Sequence, residues 1–205
     1  MDRRERLAEA RLMLVVEACA EALLDAALRG GVDVVQLRDK ELGDAELVAA
    51  AAPFRRACDR HGALFVLNDR PDLVEACGAD GVHVGLEDAP PAEARALVGS
   101  ERLVGVSTHS REEIEAAVDA DYLGVGTIFA TPTKTEDAVG LELVRVAAET
   151  AHVPWFAIGG IDLDTVALVA AAGAHGVAVV RAIRDAADPE QAARDLRAAL
   201  TRPAG

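Results

Sequence analysis

Three polar residues at alternate positions, Gln36, Arg38 and Lys40, close an apolar run in VDVVQLRDK. If a strand there extends as far as Lys40, the three side chains share one face. An arginine offers a planar fork of donors and a lysine a point charge, so the pair could trap an anion. RDKELGD is also good loop sequence, and a solvated charged turn is the competing reading. Asn68 and Asp69 end a second apolar run, and Asp88 follows a third. Two carboxylates on neighbouring loops match the way Mg²⁺ is commonly held, by one or two acidic side chains together with phosphates and waters. Each also reads as a helix cap, because Asp69 precedes Arg70 and Pro71, and Asp88 precedes Ala89 and Pro90. Ser107 closes another run, ATPTKT follows the next, and Gly159 and Gly160 end PWFAIGG. Glycines there would let backbone N–H groups approach a phosphate closely. His83 lies inside a run and His109 just past Ser107, without metal-type spacing to another histidine. Both read as satisfied structural residues, and His61, His152 and His175 read as helix-end cations.

Eight short apolar runs must position these groups: RLMLVV, VDVVQLR, ALFVLN, GVHV, RLVGVS, YLGVGTIF, PWFAIGG and GVAVVRAI. Runs this short, apolar on both faces and bounded by Gly, Asp or Pro, read as strands of a parallel sheet buried on both sides. Ala- and Leu-rich helical stretches lie between them. Ser110 with Glu113 forms a capping box, and Asp188, Pro189 and Gln191 supply an N-cap, a first-turn proline and a capping partner. Gly30, Gly78 and Gly173 follow helical stretches near their ends. Pro53 falls inside the helical stretch Asp44 to Arg60, where an interior proline costs about 3 kcal/mol, so a kink or a late helix start is expected. Strand and helix alternating eight times predicts an α/β fold, a single (β/α)₈ TIM barrel, with an open doubly wound sheet as the alternative. Residues 1–205 are read as one domain. Catalysis in such barrels sits at the C-terminal strand ends, where the polar residues above fall.

Composition restricts the partners. Hydrophobic residues are 51% and charged residues 27%, the balance of a chain that buries a large core. Aromatics are only 3%, which points to a core of Ala, Val and Leu and leaves no stacking platform for single-stranded nucleic acid. A net charge of -14 repels phosphate backbones and anionic membranes, so anionic ligands need a local cationic cluster. No signal peptide or membrane span is expected, because the apolar stretch Leu12 to Val16 is too short for either. Cys19, Cys58 and Cys77 form no C-x-x-C pair and read as small buried hydrophobes. A cytoplasmic location follows, and a homo-oligomer is left open.

Taken together, QLRDK at 36–40, ND at 68–69, DGVHVGLED at 80–88, GVSTHS at 105–110, GTIFATPTK at 126–134, AIGGI at 157–161 and GVAVVRAI at 176–183 resemble the thiamine phosphate synthase family over about residues 12–200. The resemblance implies a (β/α)₈ barrel that joins hydroxymethylpyrimidine diphosphate to a thiazole phosphate, releasing diphosphate with Mg²⁺ present. It implies that Gln36, Leu37, Arg38, Asp39, Lys40, Asn68, Ser107 and Lys134 hold the pyrimidine diphosphate. Asp69 and Asp88 become the Mg²⁺ ligands, and Thr131, Pro132, Thr133, Gly160, Val180 and Arg181 the thiazole phosphate site. Arg38, Lys40, Ser107 and Lys134 are the catalytic set, acting on a dissociative displacement with no protein nucleophile. The partners are then small phosphorylated substrates. The first strand departs from the family's LYLVTD, with Met13, Val16 and Glu17 in place of Tyr, Thr and Asp; Arg181 stands where Ser is common, and Thr127 where Pro is frequent. The rival readings are a thiazole tautomerase or regulator-like relative, a non-catalytic sensor of thiamine precursors, and a phosphosugar isomerase or epimerase. Asp88 and the absence of a histidine at position 127 favour the synthase over the first.

Overall fold

A computed structural model describes residues 2–85, 90–130 and 138–201. Its eight strands are β1 (Leu12–Val16), β2 (Val34–Leu37), β3 (Leu64–Asn68), β4 (Gly81–Val84), β5 (Leu103–Thr108), β6 (Tyr122–Val125), β7 (Trp155–Ile158) and β8 (Gly176–Val179). Each pairs in parallel with its sequence neighbours, and β1 pairs with β8, so the sheet closes into the expected barrel. All eight apolar runs become strands, and the open-sheet alternative falls. The helices among the described residues are α1 (Arg3–Glu9), α2 (Glu21–Arg29), α3 (Asp44–His61), α4 (Val74–Cys77), α5 (Pro91–Val98), α6 (Arg111–Ala116), α7 (Gly140–Thr150), α8 (Val166–Ala171), α9 (Arg181–Arg184) and α10 (Pro189–Thr201).

Alternation along each strand sorts the core into two layers. Leu12, Leu14 and Val16 of β1 pack with helix residues such as Leu24 and Phe54, whereas Met13 and Val15 face the barrel interior with Val34, Val66, Tyr122 and Phe156. Both layers are built mainly from Ala, Val and Leu, as the composition predicts. Two of the few aromatics, Tyr122 and Phe156, lie in the interior and pack edge to face with ring centroids 5.9 Å apart. Glycines make the room: a Cβ on Gly105 would lie 2.1 Å from Tyr122 Cζ, and one on Gly176 2.9 Å from Phe156 Cδ1.

The N-terminal end of the barrel is closed by α1, whose Leu7 is buried in the interior layer. Three aspartates fasten this end, each placed just before an even-numbered strand. Asp33 accepts from the Arg11 and Leu12 N–H groups at 2.8 and 3.0 Å, Asp80 from Phe65 N–H at 2.9 Å and Asp121 from Val104 N–H at 2.8 Å. Arginines complete each cluster: Arg197 on Asp33, Arg3 and Arg55 on Asp80, and Arg4 and Arg95 on Asp121. Burial works against the Asp80 charge, but the Arg55 guanidinium, the Phe65 N–H and Arg3 outweigh it and hold its carboxyl below the usual carboxylate range.

Several local expectations need correction. The helix α3 starts at Asp44 and runs through Pro53 to His61, so no late start occurs. Buried Leu47 and Ala51 before the proline and Phe54, Ala57 and Cys58 after it tie both halves to the barrel, and this packing outweighs the lost backbone bond. Ser110 caps α6 by accepting from Glu113 N–H at 3.2 Å, but the Glu113 carboxylate turns to His109 N–H at 2.6 Å. Likewise Asp188 accepts from Gln191 N–H, while the Gln191 side chain donates to Asp195. Cys58 and Cys77 are buried as expected and Cys19 is half-buried. His175 sits directly before β8 with Nε2 2.7 Å from an Arg11 guanidinium nitrogen, rather than serving a helix end.

Candidate active site

A line of polar side chains climbs the inner wall toward the C-terminal strand ends. Gln36, paired across the sheet with Val15 and Val66, is buried, with Nε2 3.9 Å from Met13 Sδ and a hydrogen bond to the Tyr122 hydroxyl. His83 Nδ1 lies 3.1 Å from that same hydroxyl, and its Nε2 lies 3.0 Å from Ser107 Oγ. Burial pushes the Tyr122 phenol well above its usual pKa, and the Gln36 bond offsets this only in part, so the hydroxyl stays protonated. Four strands thus contribute to one chain, Gln36 to Tyr122 to His83 to Ser107, which fixes the Ser107 hydroxyl at the barrel mouth.

The charged cluster is gathered by a turn and not by strand alternation. β2 ends at Leu37; the Arg38 N–H still donates to Val16 O at 2.9 Å, and the chain then bends. The Asp39 carboxylate causes the bend by accepting from Ala18 N–H and Glu41 N–H, each at 3.2 Å. Asp39 is therefore committed to joining two loops. Leu37 packs its side chain between the barrel and the helices, so it can face a ligand only through its backbone. Beyond the bend, Lys40 Nζ comes within 3.3 Å of Asp69 Oδ2. Arg38 is part-exposed and forms no ion pair among the described residues.

Asp69 has φ 58°, a left-handed conformation that a non-glycine residue adopts at a cost and that recurs at functional sites. Its N–H donates to His83 O at 2.8 Å, which locks it beside the polar chain. The capping alternative falls, because the following Pro71–Leu73 turn begins at Arg70 with no side-chain cap. Asn68, at the end of β3, pairs with His83 across the sheet and is half-buried.

Across β7 and β8, Ile158 pairs with Ala178, which brings Gly159 and Gly160 alongside Val179 and Val180. Both glycines have positive φ, 107° and 61°. A Cβ on Gly159 would meet Thr127 Cγ2 at 2.5 Å, and one on Gly160 would meet Phe129 Cβ at 2.8 Å. Phe129 N–H donates to Gly159 O at 3.0 Å, so the glycine turn also seats the root of the β6–α7 loop. Val180 precedes the single turn α9, and Arg181 is exposed at its start. The first N–H groups of such a turn have no intrahelical acceptor and point outward. Asp88, Thr131, Pro132, Thr133 and Lys134 lie outside the described residues. Among the described residues no three metal-type side chains cluster.

The TMP-TENI family model, described as thiamine monophosphate synthase, matches residues 12–183. The chain belongs to this family. A Thermobifida fusca protein named thiamine-phosphate synthase is 49% identical over 208 residues, covering 96% of this chain and 95% of its own. A Gloeobacter violaceus protein of the same name is 52% identical over 193 residues, but there the chain spans only 57% of the longer protein. Among solved structures, a thiamine phosphate pyrophosphorylase from Pyrococcus furiosus superposes with TM-score 0.86 at 32% identity, covering 95% of this chain and 96% of that one. Relatives this similar over nearly the whole chain make it a transferase. Among the described residues no helix is long and apolar enough to cross a membrane.

Of the expected family residues, the fold brings Gln36, Arg38, Lys40, Asn68, Asp69 and Ser107 to one rim, on β2, β3 and β5. Gly160, Val180 and Arg181 stand on the β7–β8 rim. At the first strand end, Met13 lies in the interior beside Gln36 and Val16 faces the helices, while Glu17 is exposed and its charge acts on Arg184. The sequence alone does not point to Tyr122, and it gives His83 only a structural role. The available signal was parity: in a strand buried on both faces, a histidine or tyrosine on the inward face must find a polar partner.

Proposed function

We propose that this member of the family is a thiamine phosphate synthase, joining hydroxymethylpyrimidine diphosphate to a thiazole phosphate with release of diphosphate. The observation that carries this reading is the meeting of Lys40 and Asp69 beside Arg38, on the same rim as Ser107 and its oriented hydroxyl. A sugar isomerase would need an acid/base pair, whereas this set suits a departing anion. A cytoplasmic location accords with the reading.

In this reading Arg38 and Lys40, with Lys134, bind the diphosphate and stabilise its charge as the carbon–oxygen bond breaks. The bonding electrons leave with the diphosphate, and the aminopyrimidine shares the positive charge left on its methylene. The lone pair of the thiazole nitrogen then forms the new carbon–nitrogen bond. Ser107, aligned by His83, orients the pyrimidine, and the Gly160 turn with the Val180–Arg181 backbone takes the thiazole phosphate. Asp69 suits a divalent hard cation: it offers carboxylate oxygens, is partly exposed and is held in a fixed conformation. Mg²⁺ held by Asp69 and Asp88 would neutralise charge on the diphosphate.

Steady-state turnover of the Asp69→Ala and Lys134→Ala variants tests these assignments. Losing one well-placed charge-stabilising group costs about 10²–10³ in rate, or about 2.7–4 kcal/mol. Both variants are expected to fall by that factor with unchanged circular dichroism, and near-normal turnover in either would remove its residue from the mechanism.

A further inference from the structure

The contact between Lys40 and Asp69 joins a cation assigned to the diphosphate with a carboxylate assigned to the metal. Their separation is 3.3 Å, with the Lys40 side chain 54% exposed and that of Asp69 22% exposed. A small divalent cation sits about 2.0–2.1 Å from its carboxylate oxygen. Bound on the same oxygen, it would therefore stand close to the lysine ammonium, and the two positive charges would repel. Lys40 must give way before a metal can take Asp69 Oδ2, and it disfavours a cation anywhere on that carboxylate. Arg38, two residues earlier, is part-exposed and makes no such pair among the described residues.

We infer that Lys40 is the resident counter-cation of Asp69 in the substrate-free enzyme, and that loading the site moves Lys40 from Asp69 onto the diphosphate. The inference rests on reading Asp69 as a metal ligand. Its chemical sense is that a carboxylate held at the mouth of an enzyme that binds two anions stays neutralised until metal and diphosphate arrive. Metal alone then binds weakly. Diphosphate strengthens metal binding by drawing Lys40 away, and by linkage the metal strengthens diphosphate binding by the same factor.

The test is a titration of the full-length, substrate-free protein with Mn²⁺, reading free Mn²⁺ by electron paramagnetic resonance, in the wild type and in the Lys40→Met, Lys40→Arg and Asp69→Asn variants. Lys40→Met removes the competing charge and is expected to tighten Mn²⁺ binding by about three- to tenfold, the scale of one exposed ion pair plus a relieved like-charge contact. Lys40→Arg keeps the charge and is expected to stay near the wild type. Asp69→Asn is expected to lose the site. Unchanged or weaker Mn²⁺ binding in Lys40→Met, with the Asp69→Asn loss intact, overturns the inference alone. Wild-type Mn²⁺ binding in Asp69→Asn overturns the reading of Asp69, and the inference with it.

Discussion

Gly105→Ala tests whether the inner-wall network depends on the space that a missing side chain leaves. A Cβ at position 105 would lie 2.1 Å from Tyr122 Cζ, 2.3 Å from Cε1 and 2.5 Å from the hydroxyl oxygen, whereas carbon atoms pack best at about 3.5–4.0 Å. The ring must therefore shift by more than about 1 Å. It is hemmed in by Phe156, 5.9 Å away between centroids, and by His83 at 5.4 Å. Overpacking of this kind costs about 1–3 kcal/mol, and displacing the hydroxyl from His83 and Gln36 leaves buried polar groups unpaired at about 1–3 kcal/mol more. A total near 3 kcal/mol lowers the melting temperature by about 6–12 °C in a chain of this size. Urea unfolding followed by the fluorescence of Trp155, the sole tryptophan, reads this directly. Tyr122→Ala supplies the control. Alone it costs about 3–5 kcal/mol through cavity formation, but in the Gly105→Ala background the clash is gone, and the double variant should be more stable than the sum of the two by at least 1 kcal/mol. Costs that add to within about 0.5 kcal/mol would refute the steric argument. Turnover should fall in Gly105→Ala as well, because His83, which orients Ser107, loses its Tyr122 anchor.

Asp80→Asn at the barrel floor leaves two arginines facing a neutral amide and is expected to destabilise the protein by about 3–5 kcal/mol in thermal or urea unfolding. Because the folded Asp80 carboxyl lies below its unfolded value of about 3.9, its contribution is complete above that pH and is lost as pH falls through the lowered folded value; urea midpoints should fall less steeply in acid for Asp80→Asn than for the wild type, the remaining loss coming from other arginine-paired carboxylates such as Asp25 and Asp72. Burial, with the nearby Arg11 charge, holds His175 below its ordinary pKa, so the unfolded chain binds that proton first and stability should fall as pH drops below about 6.5, a slope removed in His175→Gln. Burial pushes the Cys58 thiol up to about 12 and the half-buried Cys19 up to about 11, so thiol-specific reagents at pH 8 should label the native protein slowly and the unfolded one fast at all three cysteines.

The barrel was readable because each strand is buried on both faces, so apolar runs of four to six residues separated by amphipathic helices leave few other solutions. Helix ends were readable as N-caps but not as full capping boxes, since Glu113 and Gln191 each found a better partner nearby. The rim was half readable. Residue types at strand ends located Gln36, Asn68, Asp69 and Ser107, but alternation gave the wrong reason for Lys40, because the Asp39 carboxylate bends the chain after Arg38 and only the fold brings Lys40 to Asp69. The Gln36, Tyr122, His83 and Ser107 chain joins four strands that are far apart in sequence. Its two middle members, Tyr122 and His83, look like ordinary core and strand residues until the barrel closes, and Gly105, which makes room for them, looks like a weak strand residue.

The most direct test of the central claim is the stoichiometry of product formation by the purified full-length protein given hydroxymethylpyrimidine diphosphate, thiazole phosphate and Mg²⁺. One thiamine phosphate should appear for each diphosphate released, and both should vanish when a chelator is added. Thermal stabilisation by the two substrates without any thiamine phosphate would contradict the account and make the barrel a sensor of these precursors.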